Sequence, residues 1–505
     1  MTFENLLEIV GQSATRLRRA KGEADKSAEG GPNLCVDSRM VRPGDIFIAI
    51  KGSHLDGQNF VEQAVTAGAK YIVTNKDVPQ HAPHTTHYQI ITVDNSAKAA
   101  ALLAHAKKGW PAKKLACLAV TGTNGKTTVT FLVRSIIQTA GQRCGLIGTV
   151  QYDTGEKIYQ SKLTTPDPFT IADITSQMVT AGAKFMITEA SSHALDQDRL
   201  EGVHFAAAAF TNLTGDHLDY HKTKENYLAA KTKLFQSLSK DAVAILNKQS
   251  PESEYIAQQT KARLLWYSID EPADLTAHIE VMNTTGTTFA LEYKNQKHIV
   301  KTPLLGRFNV SNCLAAAGLC IAAGIDLDII CATLSSPMPP PGRLQKISHN
   351  GSFSVLVDYA HTDDALQNVL ETLKPLCAGR LIVVFGCGGD RDRTKRPRMA
   401  KVAEKFADLI IVTSDNPRTE NPQAIINEIV AGFENSDPKK ISIEPDRKTA
   451  IGIAIENARE NDIVLIAGKG HENYQILADK TIHFSDQEVA AEFLKKKVVS
   501  VPNKK

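Results

Sequence analysis

The sequence predicts a three-domain α/β protein built on mostly parallel sheets, and three observations predict it. At 505 residues the chain is too long for one ordinary core, and at about 150 residues per domain it has room for roughly three. From Leu115 onward, short apolar runs alternate with helix-compatible stretches, the pattern of parallel strands joined by crossover helices. Seven of those runs end in a polar, glycine-rich or charged turn, and open α/β sheets bind ligands outside such strand ends.

The elements follow in order. Residues 16–32 are charged and close on Gly30-Gly31-Pro32, which reads as an exposed loop. Residues 45–50 and 71–74 read as short buried strands, and residues 95–108 as a helix leading to a linker at Gly109-Trp110-Pro111. In the middle of the chain Leu118-Ala119-Val120 runs into Thr121-Gly122-Thr123-Asn124-Gly125-Lys126-Thr127-Thr128. There too Phe185-Met186-Ile187-Thr188 runs into Glu189-Ala190-Ser191-Ser192-His193, and Ala208-Ala209-Phe210-Thr211 into Asn212-Leu213-Thr214-Gly215-Asp216-His217. The proline-rich stretch at 336–342 is a second break. Past it, strand-like runs lead into Asp358-Tyr359-Ala360-His361, Gly386-Cys387-Gly388-Gly389-Asp390-Arg391, Asp415-Asn416-Pro417-Arg418 and Gly468-Lys469-Gly470-His471-Glu472. The domains are therefore placed at 1–110, 111–338 and 339–505. Two sheets offering such edges suggest a cleft with nucleotide on one wall and a second reactant on the other.

Composition excludes several classes. With 42% hydrophobic and 22% charged residues the chain is neither disordered nor collagen-like. A net charge of +3 from 58 basic and 55 acidic residues gives no reason to expect a nucleic-acid or membrane partner. None of the eight cysteines forms a C-x-x-C pair, so they read as buried, reduced small hydrophobes. Residues 1–10 carry two glutamates and no apolar core, unlike a signal peptide, and no apolar run approaches the ~18–20 residues that span a bilayer. A cytoplasmic monomer is the expectation.

Residues 122–128 lie between an apolar strand and the helix-compatible run 129–139, where a phosphate loop belongs. Glycines let backbone N–H groups close on phosphate oxygens, Lys126 supplies a cation, and Thr127 can reach Mg²⁺. The general G-x-x-x-x-G-K-[ST] pattern is not met, because Val120 stands at its first glycine. The plainer alternative is a glycine-rich turn with an exposed lysine. Glu189, at a strand end, offers the hard oxygen that Mg²⁺ prefers, or else a helix-capping carboxylate. His217 is a softer ligand whose ordinary role would be structural.

The G-T-N-G-K-T-T loop, E-A-S-S-H, T-N-L-T-G-D-H-L-D-Y-H, K-x-K-L-F from Lys231, N-x-x-N from Asn309 to Asn312, P-G-R from Pro341 to Arg343, and D-Y-A-H resemble the Mur ligases. With the third-domain motifs they cover residues 115–472 in that family's order. The resemblance implies an N-terminal domain that binds a UDP-muramoyl substrate, a central P-loop ATPase-like domain, and a Rossmann-like C-terminal domain that binds an amino acid. It further implies an ATP- and Mg²⁺-dependent ligase of peptidoglycan precursor synthesis, which phosphorylates a peptide carboxylate and couples an amine to the acyl phosphate.

Matched residue by residue, Gly122, Thr123, Asn124, Gly125, Lys126, Thr127, Thr128, Asn309, Arg343 and Asp358 would hold ATP. Thr127, Glu189, His217 and Lys231 would surround the metal, with Lys231 carbamylated, and Lys126, Glu189, His217 and Lys231 would form the catalytic set. Ser38, Ser53, His54, Leu55, Thr164, Thr165, Ser191, Gln197 and Arg199 would grip the UDP-muramoyl peptide, although Leu163 stands where a polar contact residue is expected. Arg391, Asp415, Asn416, Pro417, Arg418, Gly468 and Glu472 would form the amino-acid pocket. The D-N-P-R sequence is the form associated with meso-diaminopimelate. That acid is lysine-like with an additional carboxylate, for which Arg418 offers a planar fork. The rest of the basic run Arg391, Asp392, Arg393, Lys395, Arg396 and Arg398 reads mostly as a solvated face. A lysine-adding ligase, a folylpolyglutamate synthetase-like ligase and a non-catalytic ATP-binding regulator are the alternatives. Arg418 argues against the first and the distinct N-terminal domain against the second.

Overall fold

The structure is a computed structural model, and it describes residues 16–17, 32–52, 55–75, 88–215, 217–435 and 437–500. Three large sheets succeed one another along the chain. The first orders Leu34–Cys35, Ile46–Ile48, Tyr71–Thr74 and Gln89–Thr92 in parallel. Arg16–Leu17 pairs antiparallel at its edge, where the sequence reading placed only loop.

The central sheet has eleven strands around a parallel core. Across that core lie Arg263–Ile269, Val243–Asn247, Phe205–Phe210, Ala116–Thr121, Phe185–Glu189 and Cys144–Ile147. Successive side chains of each strand feed opposite faces: Leu118, Val120 and Ile187 join one apolar cluster, while Cys117, Ala119 and Met186 join the other. Burial on both faces is why these strands read as continuous apolar runs rather than alternating ones. At one edge Leu275–Asn283, Gly286–Tyr293 and Gln296–Thr302 form an antiparallel meander. The reading of helix-linked strands did not contain it.

The third sheet runs Gln345–Lys346, Ser354–Asp358, Ile463–Ala467, Leu381–Phe385, Leu409–Val412, Ile441–Ile443, all parallel except the first. Its faces divide in the same way, with Leu381, Val383 and Phe385 on one side and Ile382 and Val384 on the other. All seven strand-like runs before polar turns are parallel strands, and each turn sits at a carboxyl end. Seven cysteines are buried and free; Cys377 is only half-buried.

The basic run after Arg391 departs from a solvated face. Arg396 is fully buried between Glu420 and Glu428, Lys395 donates to the His361 carbonyl at 2.8 Å, and Arg393 and Arg398 pair with Glu428 and Asp363. A buried guanidinium needs compensating carboxylates, and the fold supplies two from the helix region after Arg418. Arg391 itself is exposed.

Candidate active site

The strand Ala116–Thr121 ends between its two neighbours, Phe185–Glu189 and Phe205–Phe210, and the phosphate-type loop emerges there before the helix Lys126–Thr139. Gly122 and Gly125 both hold positive φ, and a Cβ on either would collide, with the Thr211 hydroxyl and the Asn312 amide respectively. Only glycine lets the loop pack this tightly. The turn after Phe210 stitches onto it: Asn212 accepts the Asn124 N–H at 2.9 Å through its side chain and the Thr123 N–H at 2.9 Å through its carbonyl. Thr128 is buried at the start of the helix. The Lys126 ammonium donates to the carbonyls of Gly122 and Thr123, both at 2.8 Å, and Lys231 donates to the same Gly122 carbonyl at 2.9 Å.

Glu189 is buried beside this loop. Its carboxylate accepts the Thr149 N–H at 2.8 Å, the Thr149 hydroxyl at 2.9 Å and the Thr127 hydroxyl at 3.1 Å. Two hydroxyls and a carboxylate make the hard oxygen set that Mg²⁺ favours. His217 adopts φ 57° at the start of the short helix Leu218–His221, and its ring lies 6.1 Å from Tyr227. Lys231, in the helix Lys224–Gln236 and almost fully buried, places its Nζ 4.4 Å over that same Tyr227 ring. Tyr227 also meets the Thr123 hydroxyl at 3.2 Å. Among the described residues no three His, Cys, Asp or Glu side chains are grouped to hold a metal. The candidate set contains only two of these, the remainder being a threonine and a lysine.

Behind Glu189, Thr165, Ser191, Gln197 and Arg199 form one network. Thr165 donates to the Glu189 carbonyl at 2.6 Å, Arg199 donates to the Thr165 carbonyl at 2.8 Å and to Gln197 at 2.7 Å, and Ser191 lies 3.1 Å from the Thr165 hydroxyl. Thr164 joins through the Thr149 hydroxyl at 3.0 Å. Nearby, burial and the neighbouring His193 push His221 down to about 4. Ser38 is buried in the first sheet's domain against Gln63, and Leu55 is exposed. Ser53 and His54 lie outside the described residues.

The third sheet faces this loop. Arg343 stacks 4.7 Å from the Tyr359 ring and donates to the Thr127 hydroxyl at 3.3 Å, while its buried Nε has no hydrogen-bond partner among the described residues. An orphaned guanidinium donor at a phosphate-type loop fits an anion. Asp358, raised by burial against the opposing pull of Arg343, accepts the N–H groups of Leu344 at 2.6 Å and Ala360 at 2.8 Å. Asn309 and Asn312 are hydrogen-bonded to each other beneath Gly125.

Farther along the same sheet, the turns after Leu381–Phe385, Leu409–Val412 and Ile463–Ala467 converge. Gly389 N–H donates to the Asn416 carbonyl at 2.9 Å, and a Cβ on Gly389 would strike the Pro417 carbonyl. Arg418, half-buried at φ 52°, donates through Nη1 to the Gly389 carbonyl at 2.8 Å. Asn416 donates to Glu472 at 2.9 Å, and Asp415 lies against Gly468, where a Cβ would come within 2.8 Å of its carboxylate. Among the described residues no hydrogen bond joins Arg391 to this group: it is exposed and donates to the Asp390 carbonyl at 3.1 Å. Sequence reasoning missed Lys469, a buried cation bonded to Asn416 at 3.2 Å and Glu472 at 3.0 Å. It also missed Thr149, whose signal was its place just past a strand end, and Tyr227, one helical turn before Lys231.

Comparison with known proteins agrees with the three-domain α/β architecture. Residues 33–108 match the Mur ligase family catalytic domain, 120–320 the Mur ligase middle domain, and 342–470 the Mur ligase glutamate ligase domain. The chain is 42% identical over 477 residues to a UDP-N-acetylmuramoyl-L-alanyl-D-glutamate–2,6-diaminopimelate ligase of Geobacillus thermodenitrificans (strain NG80-2), covering 93% of this chain and 96% of that one. To the protein of the same name from Syntrophomonas wolfei subsp. wolfei (strain DSM 2245B / Goettingen) it is 40% identical over 495 residues, covering 98% and 99%. A solved structure of a ligase of that name superposes with a TM-score of 0.68 at 33% identity, over 98% of this chain and 99% of the other. With three matched domains and relatives of this identity along nearly its whole length, the chain belongs to the Mur ligase family.

Proposed function

We propose that the protein is the ATP-dependent ligase that adds meso-2,6-diaminopimelate to UDP-N-acetylmuramoyl-L-alanyl-D-glutamate, a step of peptidoglycan precursor synthesis. The observation that carries the reading is the meeting of two walls. The phosphate-type loop of the central sheet touches the third domain through Arg343 to Thr127 and Asn124 to Asp364, and the turns that carry Asn416, Arg418 and Glu472 lie at the ends of that domain's strands. On this reading residues 1–110 bind the UDP-sugar, 111–338 the triphosphate and 339–505 the incoming amino acid.

A carboxylate is a poor electrophile without a leaving group. Its oxygen therefore takes the γ-phosphoryl group, ADP departs, and the diaminopimelate amine attacks the carbonyl carbon of the acyl phosphate. The tetrahedral adduct loses a proton from nitrogen and expels phosphate, leaving the amide. Catalysis of this kind is mostly positioning and charge stabilisation. On this reading Lys126 and Arg343 would bind phosphate oxygens, with Asn309 and Asp358 on the nucleoside side. Thr165, Ser191, Gln197 and Arg199 would hold the peptide acid beside Glu189. Arg418 and Arg391 would receive carboxylates of the amino acid, and Glu472 its ammonium. Thr127, Glu189, His217 and Lys231 are assigned to Mg²⁺, which when bound neutralises charge on the phosphates. Carbamylation of Lys231 would turn a cation that shares the Gly122 carbonyl with Lys126 into an anion able to attract the metal.

The test supplies ATP, Mg²⁺ and the UDP-muramoyl dipeptide and follows ADP release with meso-diaminopimelate or L-lysine added separately. Diaminopimelate-dependent release is expected. Equal efficiency with lysine would overturn the specificity, and no release with any amine would favour a regulatory ATP-binding protein. No helix among the described residues is long and apolar enough to cross a membrane.

A further inference from the structure

Asp364 stands in the first turn of the helix Asp363–Leu373, on the third sheet's domain. A carboxylate there is ordinarily explained by the helix dipole. Its hydrogen bonds say more. The Oδ2 atom accepts the Asn124 amide at 2.9 Å and the Thr214 hydroxyl at 2.9 Å, both from the central domain. Asn124 belongs to the phosphate-type loop, and Thr214 to the turn that leads into His217. Those two segments are already joined, because Thr214 N–H donates to the Thr123 hydroxyl at 2.9 Å. One oxygen from the third domain thus clamps both strips of the nucleotide site at the place where they meet.

The other side of the helix start is tied to the amino-acid pocket. Arg398 donates to Asp363 at 2.8 Å, and Lys395 donates to the His361 carbonyl at 2.8 Å. Both cations lie in the helix Lys395–Phe406, which follows the Gly386–Arg391 turn by a few residues. A continuous set of bonds therefore runs from the phosphate-type loop through Asp364 to the helix that carries the diaminopimelate-side turn.

We infer that Asp364 is a positioning residue: a latch that docks the third domain on the nucleotide loop and so brings the bound amine to the acyl phosphate. The inference rests on the ligase reading. It separates the two halves of the reaction. Phosphoryl transfer to the peptide acid uses the central domain's groups together with Arg343 and Asp358, which the separate Arg343–Thr127 contact keeps at the loop, whereas amine attack also needs the third domain's amino-acid turns held in register. Hydroxylamine is a small free nucleophile that traps an acyl phosphate as a hydroxamate without using the amino-acid pocket, so it reports the first half alone.

The experiment compares the wild type with D364A and D364N in two assays at saturating ATP and UDP-muramoyl dipeptide: ADP release with meso-diaminopimelate, and hydroxamate formation with hydroxylamine. D364A is expected to lower the diaminopimelate-dependent kcat about 30-fold, the equivalent of roughly one charge-assisted hydrogen bond. Its hydroxylamine rate should stay near wild type. D364N keeps an oxygen able to accept both bonds, so it should recover most of the lost kcat. The latch is overturned if D364A matches wild type with diaminopimelate, if the two assays fall together, or if D364N is no better than D364A. A wild type that releases no ADP with any amine would instead overturn the ligase reading, which keeps the two failures apart.

Discussion

Replacing Arg418 by alanine tests the specificity of the amino-acid pocket, because the structure divides the guanidinium's work in two. Nη1 is spent on the Gly389 carbonyl at 2.8 Å, with a weaker approach to the Asn416 carbonyl at 3.4 Å. That anchoring leaves the Nε–Nη2 edge, the geometry that suits a carboxylate through two parallel N–H···O bonds. Gly388 permits it: a Cβ there would come within 2.8 Å of Nη1. Alanine is the right truncation, since it keeps a Cβ at φ 52° and leaves the backbone cost unchanged, whereas glycine would relieve it. Removing one partner of a hydrogen-bonded, partly desolvated charge pair costs about 2–4 kcal/mol, or roughly 30- to 1,000-fold in kcat/KM. The assay measures four such values, wild type and R418A with meso-diaminopimelate and with L-lysine. Lysine lacks the second carboxylate, so truncation should scarcely alter its poor use, and the coupling between residue and substrate should equal about 2–4 kcal/mol. R418K, which keeps the charge without the fork, should fall between. Equal losses for both amino acids, a coupling near zero, would show that Arg418 does not meet the distal carboxylate.

Three further outcomes are expected. E189Q should cut ADP release at least about 100-fold and raise the Mg²⁺ needed, while costing no more than about 2 kcal/mol of stability because the amide can still serve both threonine hydroxyls; an unaltered Mg²⁺ titration would remove Glu189 from the metal site. K231A should lose activity that formate or acetate partly restores, and neither rescue nor added mass on Lys231 in the active protein would count against the carbamate. His105, buried with both ring nitrogens unpartnered among the described residues, is pushed down to about 4 by burial and by His204. Between pH 6.5 and 4 the unfolded chain therefore binds a proton that the folded one refuses. Stability is full above 6.5 and loses about 3 kcal/mol by pH 4 from this group. Urea midpoints of H105L should lack that part of the acid decline, and an identical pH profile would refute it.

What could be read without coordinates followed from whether a residue's partner lies nearby in sequence. The strands Leu381–Phe385 and Ile463–Ala467 are buried on both faces, so their apolar runs announce them, and the turn that follows each must be polar because it leaves the sheet. The strand Leu275–Asn283 buries only alternate residues at one end and leaves Val281 exposed, so it offered no such run and its meander went unread. The same rule separates the site residues. Lys126, Glu189 and Arg418 sit at or just beyond strand ends, among polar and charged residues that advertise a ligand. Arg396 read as solvated because its carboxylates are 24 and 32 residues away. Asp364 read as nothing because Asn124 is 240 residues away, and an acid at a helix start needs no other reason to exist. Local chemistry thus shows what a side chain is able to do, while topology decides what it is given to do it with. The groups proposed to bind substrate lie in the first class; those that hydrogen-bond one domain to another fall in the second.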